Sequence, residues 1–74
     1  MTKNIRSERI RAGITQQQLA DQIDAHVSTV RMWEQGVSQP SAVYLTKLAV
    51  AFDCSADYLL GLTEERTIKK DQED

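Results

Sequence analysis

The sequence predicts an all-α fold built from five short helices, and three observations predict it. Apolar residues recur at helical spacing in five segments, and no segment reads as a strand. Glycines and Ser or Thr residues punctuate those segments where helices would stop and start. The composition is 41% hydrophobic but only 5% aromatic, with three Gly and one Pro, which is poor for an all-β domain. A chain of 74 residues implies one domain, and a domain of that size buries only about 60% of its unfolded surface.

The first helix is expected over Asn4–Ala12, where Ile5 and Arg9 lie four apart with Ile10 beside them and Gly13 stops the run. The second is expected over Gln16–Ile23. Thr15 and Gln18 open it as a T-x-x-Q capping box, and Leu19, Ala20 and Ile23 form its apolar stripe. The third is expected over Val27–Gln35, with Val30 and Trp33 inward and Gly36 as its stop. Pro40 forces Gln39 into an extended conformation, and Ser41 then caps a fourth helix over Ala42–Phe52. Its core-facing stripe is Leu45, Leu48, Ala49 and Phe52. Ser55 caps a short fifth helix, Ala56–Leu60, which ends at Gly61. The folded domain is expected over 1–62. Residues 63–74 are charged with one apolar side chain, and are expected to be a disordered tail.

Several function classes are set aside by composition. Cys54 is the only cysteine, so no internal disulfide forms, and it reads as a small core hydrophobe. With one His, no Gly-rich phosphate loop and no cluster of metal-ligating types, no catalytic residue, metal or cofactor is assigned, and the protein is not expected to be an enzyme. Asp53 and Asp57, four apart around a helix start, suit capping and solvation. No apolar stretch approaches the ~20 residues that span a bilayer, and the first residues lack a signal peptide's apolar core, so a cytoplasmic location is expected. The net charge is −2, but its distribution is uneven. Residues 1–47 carry six basic and four acidic groups, whereas residues 48–74 carry three basic and seven acidic. The front of the chain has a mildly basic footprint.

The informative stretch is Thr15–Gly36, TQQQLADQIDAHVSTVRMWEQG. Two helices of about eight residues joined by about three must cross sharply. Ala20 is small where they pass closest, and Asp24 falls where the chain turns with positive φ, a conformation Asp tolerates better than most residues. The second of the two helices exposes short hydroxyl- and methyl-bearing groups near its N-terminus. Such a helix fits the major groove of double-stranded DNA, where hydroxyls reach base edges and methyls touch thymine.

The chain resembles the phage-repressor and Cro-like (xenobiotic-response-element type) helix-turn-helix family of transcriptional regulators. The residues that carry the resemblance are Ile5, Arg9, Ala12-Gly13-Ile14-Thr15-Gln16, Leu19-Ala20, Val30, Trp33-Glu34, Gly36, Pro40-Ser41, Leu45, Leu48-Ala49, Phe52, Ser55 and Asp57-Tyr58-Leu59-Leu60-Gly61. Their spacing is kept over residues 4–62. The resemblance implies a compact five-helix lambda-repressor-like DNA-binding domain with helices two and three as the motif, reading operator DNA as a homodimer on a two-fold site.

The resemblance also implies residue roles. Val27, Ser28, Thr29, Arg31 and Met32 match the base-reading positions of the recognition helix. Gln16 and Gln17 at the start of the first motif helix, His26 before the recognition helix, and Ser38 and Gln39 in the following loop match backbone-contacting positions. For His26 a half-exposed side chain with no role is the other reading. Arg9 and Glu34 match a pair that bridges the first helix to the end of the recognition helix, a structural ion pair. The chain departs from the family at Asp24, often Gly, at His26, usually a Ser or Thr cap, and at Val37, often Lys. Three to five charged phosphate contacts per monomer are expected. Val43, Tyr44, Val50 and Ala51 lie off the core stripe of the fourth helix; Val43, Tyr44 and Val50, with Tyr58 and Leu62 of the fifth helix and its flank, are the candidate dimer contacts. Surplus apolar surface also keeps open a second reading, an antitoxin or protein-interaction module on the same fold with a protein partner.

Overall fold

The structure, a computed structural model, describes residues 3–66 as five helices: α1 (Lys3–Ala12), α2 (Gln16–Ile23), α3 (Val27–Gln35), α4 (Ala42–Phe52) and α5 (Ala56–Leu60). The all-α, five-helix expectation is met. The helices close around one core of Ile5, Leu19, Ala20, Ile23, Val30, Trp33, Leu48, Phe52, Cys54 and Leu59.

Local chemistry fixes the boundaries. Thr15 Oγ1 accepts from the Gln18 N–H at 3.0 Å, and the Gln18 side chain accepts from the Thr15 N–H at 2.8 Å, closing the capping box. Ser55 Oγ accepts from the Tyr58 N–H at 3.1 Å and caps α5. Ser41 occupies the N-cap of α4 in extended backbone, but its side chain makes no cap hydrogen bond, unlike the role expected of it. Asp24 closes α2 at φ 59° and Asp53 closes α4 at φ 54°, both left-handed. The sequence pattern pointed to the first. At Asp53 it suggested only capping and solvation, because no glycine marks the end of α4.

Three expectations change. In α1 the inward partner of Ile5 is Glu8, which is 4% exposed, whereas Ile10 is 55% exposed. At about 100° per residue Glu8 lies within one ridge of Ile5, and Ile10 lies about 140° round the helix. On α4 only Leu48 and Phe52 are buried, while Leu45 and Ala49 pack at the edge of the core. The described chain also continues past the expected boundary at residue 62. Ser55 donates its N–H to the Arg66 carbonyl at 2.8 Å, and Arg66 donates Nη2 to the Phe52 carbonyl at 2.7 Å. Arg66 also grips Glu8, with Nε 3.0 Å from each carboxylate oxygen. A buried carboxylate needs a cation, and the segment expected to be tail supplies it. The remainder of that expected tail, 67–74, lies outside the described residues.

Candidate nucleic-acid interface

The sharp crossing of α2 and α3 rests on small and apolar groups. Ala20 is fully buried, and Ile23, Val30 and Trp33 fill the angle between the helices. The Asp24 N–H turns back to the carbonyls of Ala20 and Asp21, which ends α2. Three residues later α3 begins after His26, whose imidazole makes no cap hydrogen bond and is exposed.

The five expected base-reading residues divide in two. Ser28, Arg31 and Met32 are exposed on one face of α3, opposite the buried Val30 and Trp33. Val27 and Thr29 are half-buried, and Val27 packs against the core. The face therefore offers one hydroxyl, one guanidinium and one thioether outright, with the Val27 and Thr29 side chains at its margin.

The expected backbone-contacting residues are scattered around that face in different states. Gln39 is exposed and Ser38 half-buried. The loop leaves α3 through Val37, whose N–H donates to the Met32 carbonyl at 2.9 Å; the Ser38 N–H makes a long 3.5 Å contact to the same oxygen. The exposed Gln17 spans one turn to donate to Asp21 Oδ1 at 2.9 Å. Gln16 is half-buried, and its Nε2 donates to Glu34 Oε1 at 3.1 Å. Glu34 is thereby the hub of the interface. Arg9 donates Nε to Oε2 at 2.6 Å and Nη2 to Oε1 at 3.1 Å, a two-pronged pair with side chains 14% and 3% exposed. A further Arg9 bond, Nη1 to the Ile14 carbonyl at 2.9 Å, ties the start of the motif to the same guanidinium. The pair raises the Arg9 pKa through the Glu34 hydrogen bonds, against the opposing pull of burial.

A helix-turn-helix family model matches residues 5–59, from the first core residue of α1 to the last of α5. The chain belongs to the Cro-like helix-turn-helix family. This helix-turn-helix domain is also similar to a solved structure, the P22 c2 repressor in complex with synthetic operator 9T, with a TM-score of 0.75 and 29% sequence identity over 78% of this chain and 88% of that one. The search of curated proteins gives no match. The family is non-enzymatic, in keeping with the expectation from composition. No helix among the described residues is long and apolar enough to cross a membrane.

Reasoning from the sequence missed two groups around the motif. The first is the Glu8 cluster. Burial pushes the Glu8 carboxyl up, but hydrogen bonds and charge from Arg66, the Tyr58 hydroxyl at 3.2 Å and Arg11 together hold it below its usual range. Burial and the neighbouring Glu8 charge raise the Tyr58 phenol in turn. The i, i+3 spacing of Ile5 and Glu8 was the available signal; nothing in the charged tail singled out Arg66. The second group is Tyr44 and Lys47 on α4. Tyr44 and Tyr58 were expected as surplus surface for a dimer, but both are half-buried and engaged within the domain. Val43, Val50 and Leu62, at 65%, 77% and 72%, are exposed.

Proposed function

We propose that this protein is a sequence-specific regulator of transcription, a repressor that binds a two-fold operator in double-stranded DNA as a homodimer through Val27–Gln35. The observation that carries the reading is the exposed face of α3, Ser28, Arg31 and Met32, set on a helix whose opposite face is locked into the core. Its similarity to a repressor solved in complex with synthetic operator supports the same use of that face.

In this reading Arg31 makes the bidentate contact that a guanidinium offers to guanine, and Ser28 bonds a neighbouring base edge. Val27, the Thr29 methyl and Met32 supply apolar contact to thymine. Gln16, Gln17, His26, Ser38 and Gln39 contact the sugar-phosphate backbone and fix the register without reading sequence. One domain covers too few base pairs to single out a site in a genome, and two-fold pairing doubles the readout. Of the expected dimer contacts, Val43, Val50 and Leu62 are exposed and remain for the contact between copies. Arg9 is committed to Glu34 and Lys47 to a backbone carbonyl, so charged phosphate contacts fall at the low end of the expected three to five.

Selection of bound fragments from random duplex DNA, followed by titration of the selected site at several salt concentrations, tests the reading. A palindromic site and a log–log salt slope of about −3 per monomer are expected, at ~0.9 per neutralised phosphate. No selected site, or binding indifferent to salt, counts against it.

A further inference from the structure

We propose that Tyr44 and Lys47 are positioning residues that set the orientation of the recognition helix by clamping the turn of the motif from behind. The proposal rests on the DNA-binding reading above.

The turn between α2 and α3 is only three residues long, so small rotations about it move every base-reading side chain. The Asp24 N–H folds back onto α2, and the Ile23 carbonyl lies in the last turn, where helix carbonyls lack helical partners and carry partial negative charge. Lys47 reaches across from α4 and donates Nζ to the Ile23 carbonyl at 3.3 Å. One turn earlier on α4, the Tyr44 hydroxyl donates to the Asp24 carbonyl at 3.5 Å, a long contact. The Tyr44 ring packs on Trp33 of α3 with centroids 5.5 Å apart and planes 57° apart. It also carries the Lys47 ammonium 5.5 Å from its centroid.

Two side chains of one helix thus touch the end of α2, the turn and the buried anchor of α3. Lys47 is exposed, yet its ammonium is directed by a helix-end carbonyl on one side and the Tyr44 ring on the other. Base readout tolerates misplacement of only about half an ångström, so a clamp on the turn acts on recognition. Lys47 does this without touching DNA, its charge being spent on the Ile23 carbonyl. That separates it from the alternative use of a lysine near the motif, a phosphate contact.

The test uses the full chain and a duplex selected by the wild type. Affinity for that duplex and for its single-base variants is measured at several salt concentrations for Lys47→Met, Lys47→Arg and Tyr44→Phe. Lys47→Met is expected to weaken binding about fivefold, the scale of one lost hydrogen bond from an exposed side chain. It should also alter the ranking of base variants and leave the salt slope unchanged. Lys47→Arg, which keeps a donor, should recover most of the affinity. Tyr44→Phe keeps the ring on Trp33 and should lose less than twofold.

Lys47→Met binding as tightly as the wild type overturns the proposal. So does a salt slope shallower by about 0.9, which would make Lys47 a phosphate contact. If Lys47→Met fails to fold, Lys47→Gln carries the test: weaker binding with an altered base ranking and an unchanged slope supports the clamp, and wild-type affinity or a slope shallower by about 0.9 overturns it. A wild type that binds no duplex removes the DNA reading and this proposal together, whereas failure of the variants alone leaves that reading standing.

Discussion

Replacing Arg9 by alanine should cost this domain more than replacing its partner. The Glu34 carboxylate is 3% exposed and is held by Arg9 Nε, Arg9 Nη2 and Gln16 Nε2. Arg9→Ala removes two of those three donors and strands a buried negative charge. Breaking a buried ion pair from one side costs about 3–5 kcal/mol, and the 14% exposure of Arg9 admits enough water to place this case near ~3. Glu34→Ala leaves Arg9 its bond to the Ile14 carbonyl and a path to solvent, so about 2 kcal/mol is expected. A chain of this length is stable by about 4–11 kcal/mol, so either loss is a large share. At 4–8 °C per kcal/mol, Arg9→Ala should melt about 12–24 °C below the parent. Thermal melts followed by circular dichroism, with urea titration for ΔG, measure both variants and the double variant. The double variant should be less destabilised than the sum, because removing both partners strands neither. Melts within about 4 °C of the parent for both single variants, or a larger loss for Glu34→Ala, would refute the reasoning.

Three further outcomes are expected. Glu8 is held below the ordinary carboxylate range by Arg66, Tyr58 and Arg11, which together outweigh burial. Its contribution to stability is therefore complete above about pH 4.3, the value in an unfolded chain, and is lost as pH falls through the lower folded value. Glu8→Gln should flatten the acid limb of the stability–pH curve, and an unchanged limb contradicts this. The Cys54 thiol is pushed up to about 11, first by burial and then by the Glu8 charge. Its reaction with a thiol reagent at pH 8 should follow unfolding, and a fast stoichiometric reaction of the native protein would show that it is not sealed. Asp24 sits at φ 59°, so Asp24→Gly relieves about 1 kcal/mol of backbone strain against a smaller loss to unfolded-state entropy. The melt should rise by a few degrees, and a fall means that the Asp24 side chain supports the turn.

The fold was legible in the sequence because it is written in local, short-range signals. The Thr15/Gln18 capping box, the Ser55 cap and the apolar stripes of α2 and α3 each act within one or two turns, and each lands where expected. The Arg9 and Glu34 side chains meet where the family resemblance placed them. What stayed hidden depends on chain segments far apart. Glu8 reads as a surface charge until Arg66, 58 residues later, comes to it. Tyr44 lies off the core stripe of α4 in the sequence, and only the crossing of α2 under α4 brings the Ile23 carbonyl within reach of Lys47. The division of the recognition face was hidden for a similar reason. Thr29 stands next to Val30 in sequence and Val27 lies three positions before it, and how far each sinks toward the core is set by packing and not by spacing.

The most direct measurement of sequence reading by α3 compares Gln16→Ala with Arg31→Ala and Ser28→Ala on a panel of single-base variants of the selected operator. Gln16→Ala should weaken every duplex by one common factor, because a phosphate contact carries no base information. Arg31→Ala should abolish discrimination of about 1–3 kcal/mol at one position, and Ser28→Ala should change the order of affinities at another by less. A uniform loss across the whole panel for both Arg31→Ala and Ser28→Ala would contradict readout through the exposed face of α3.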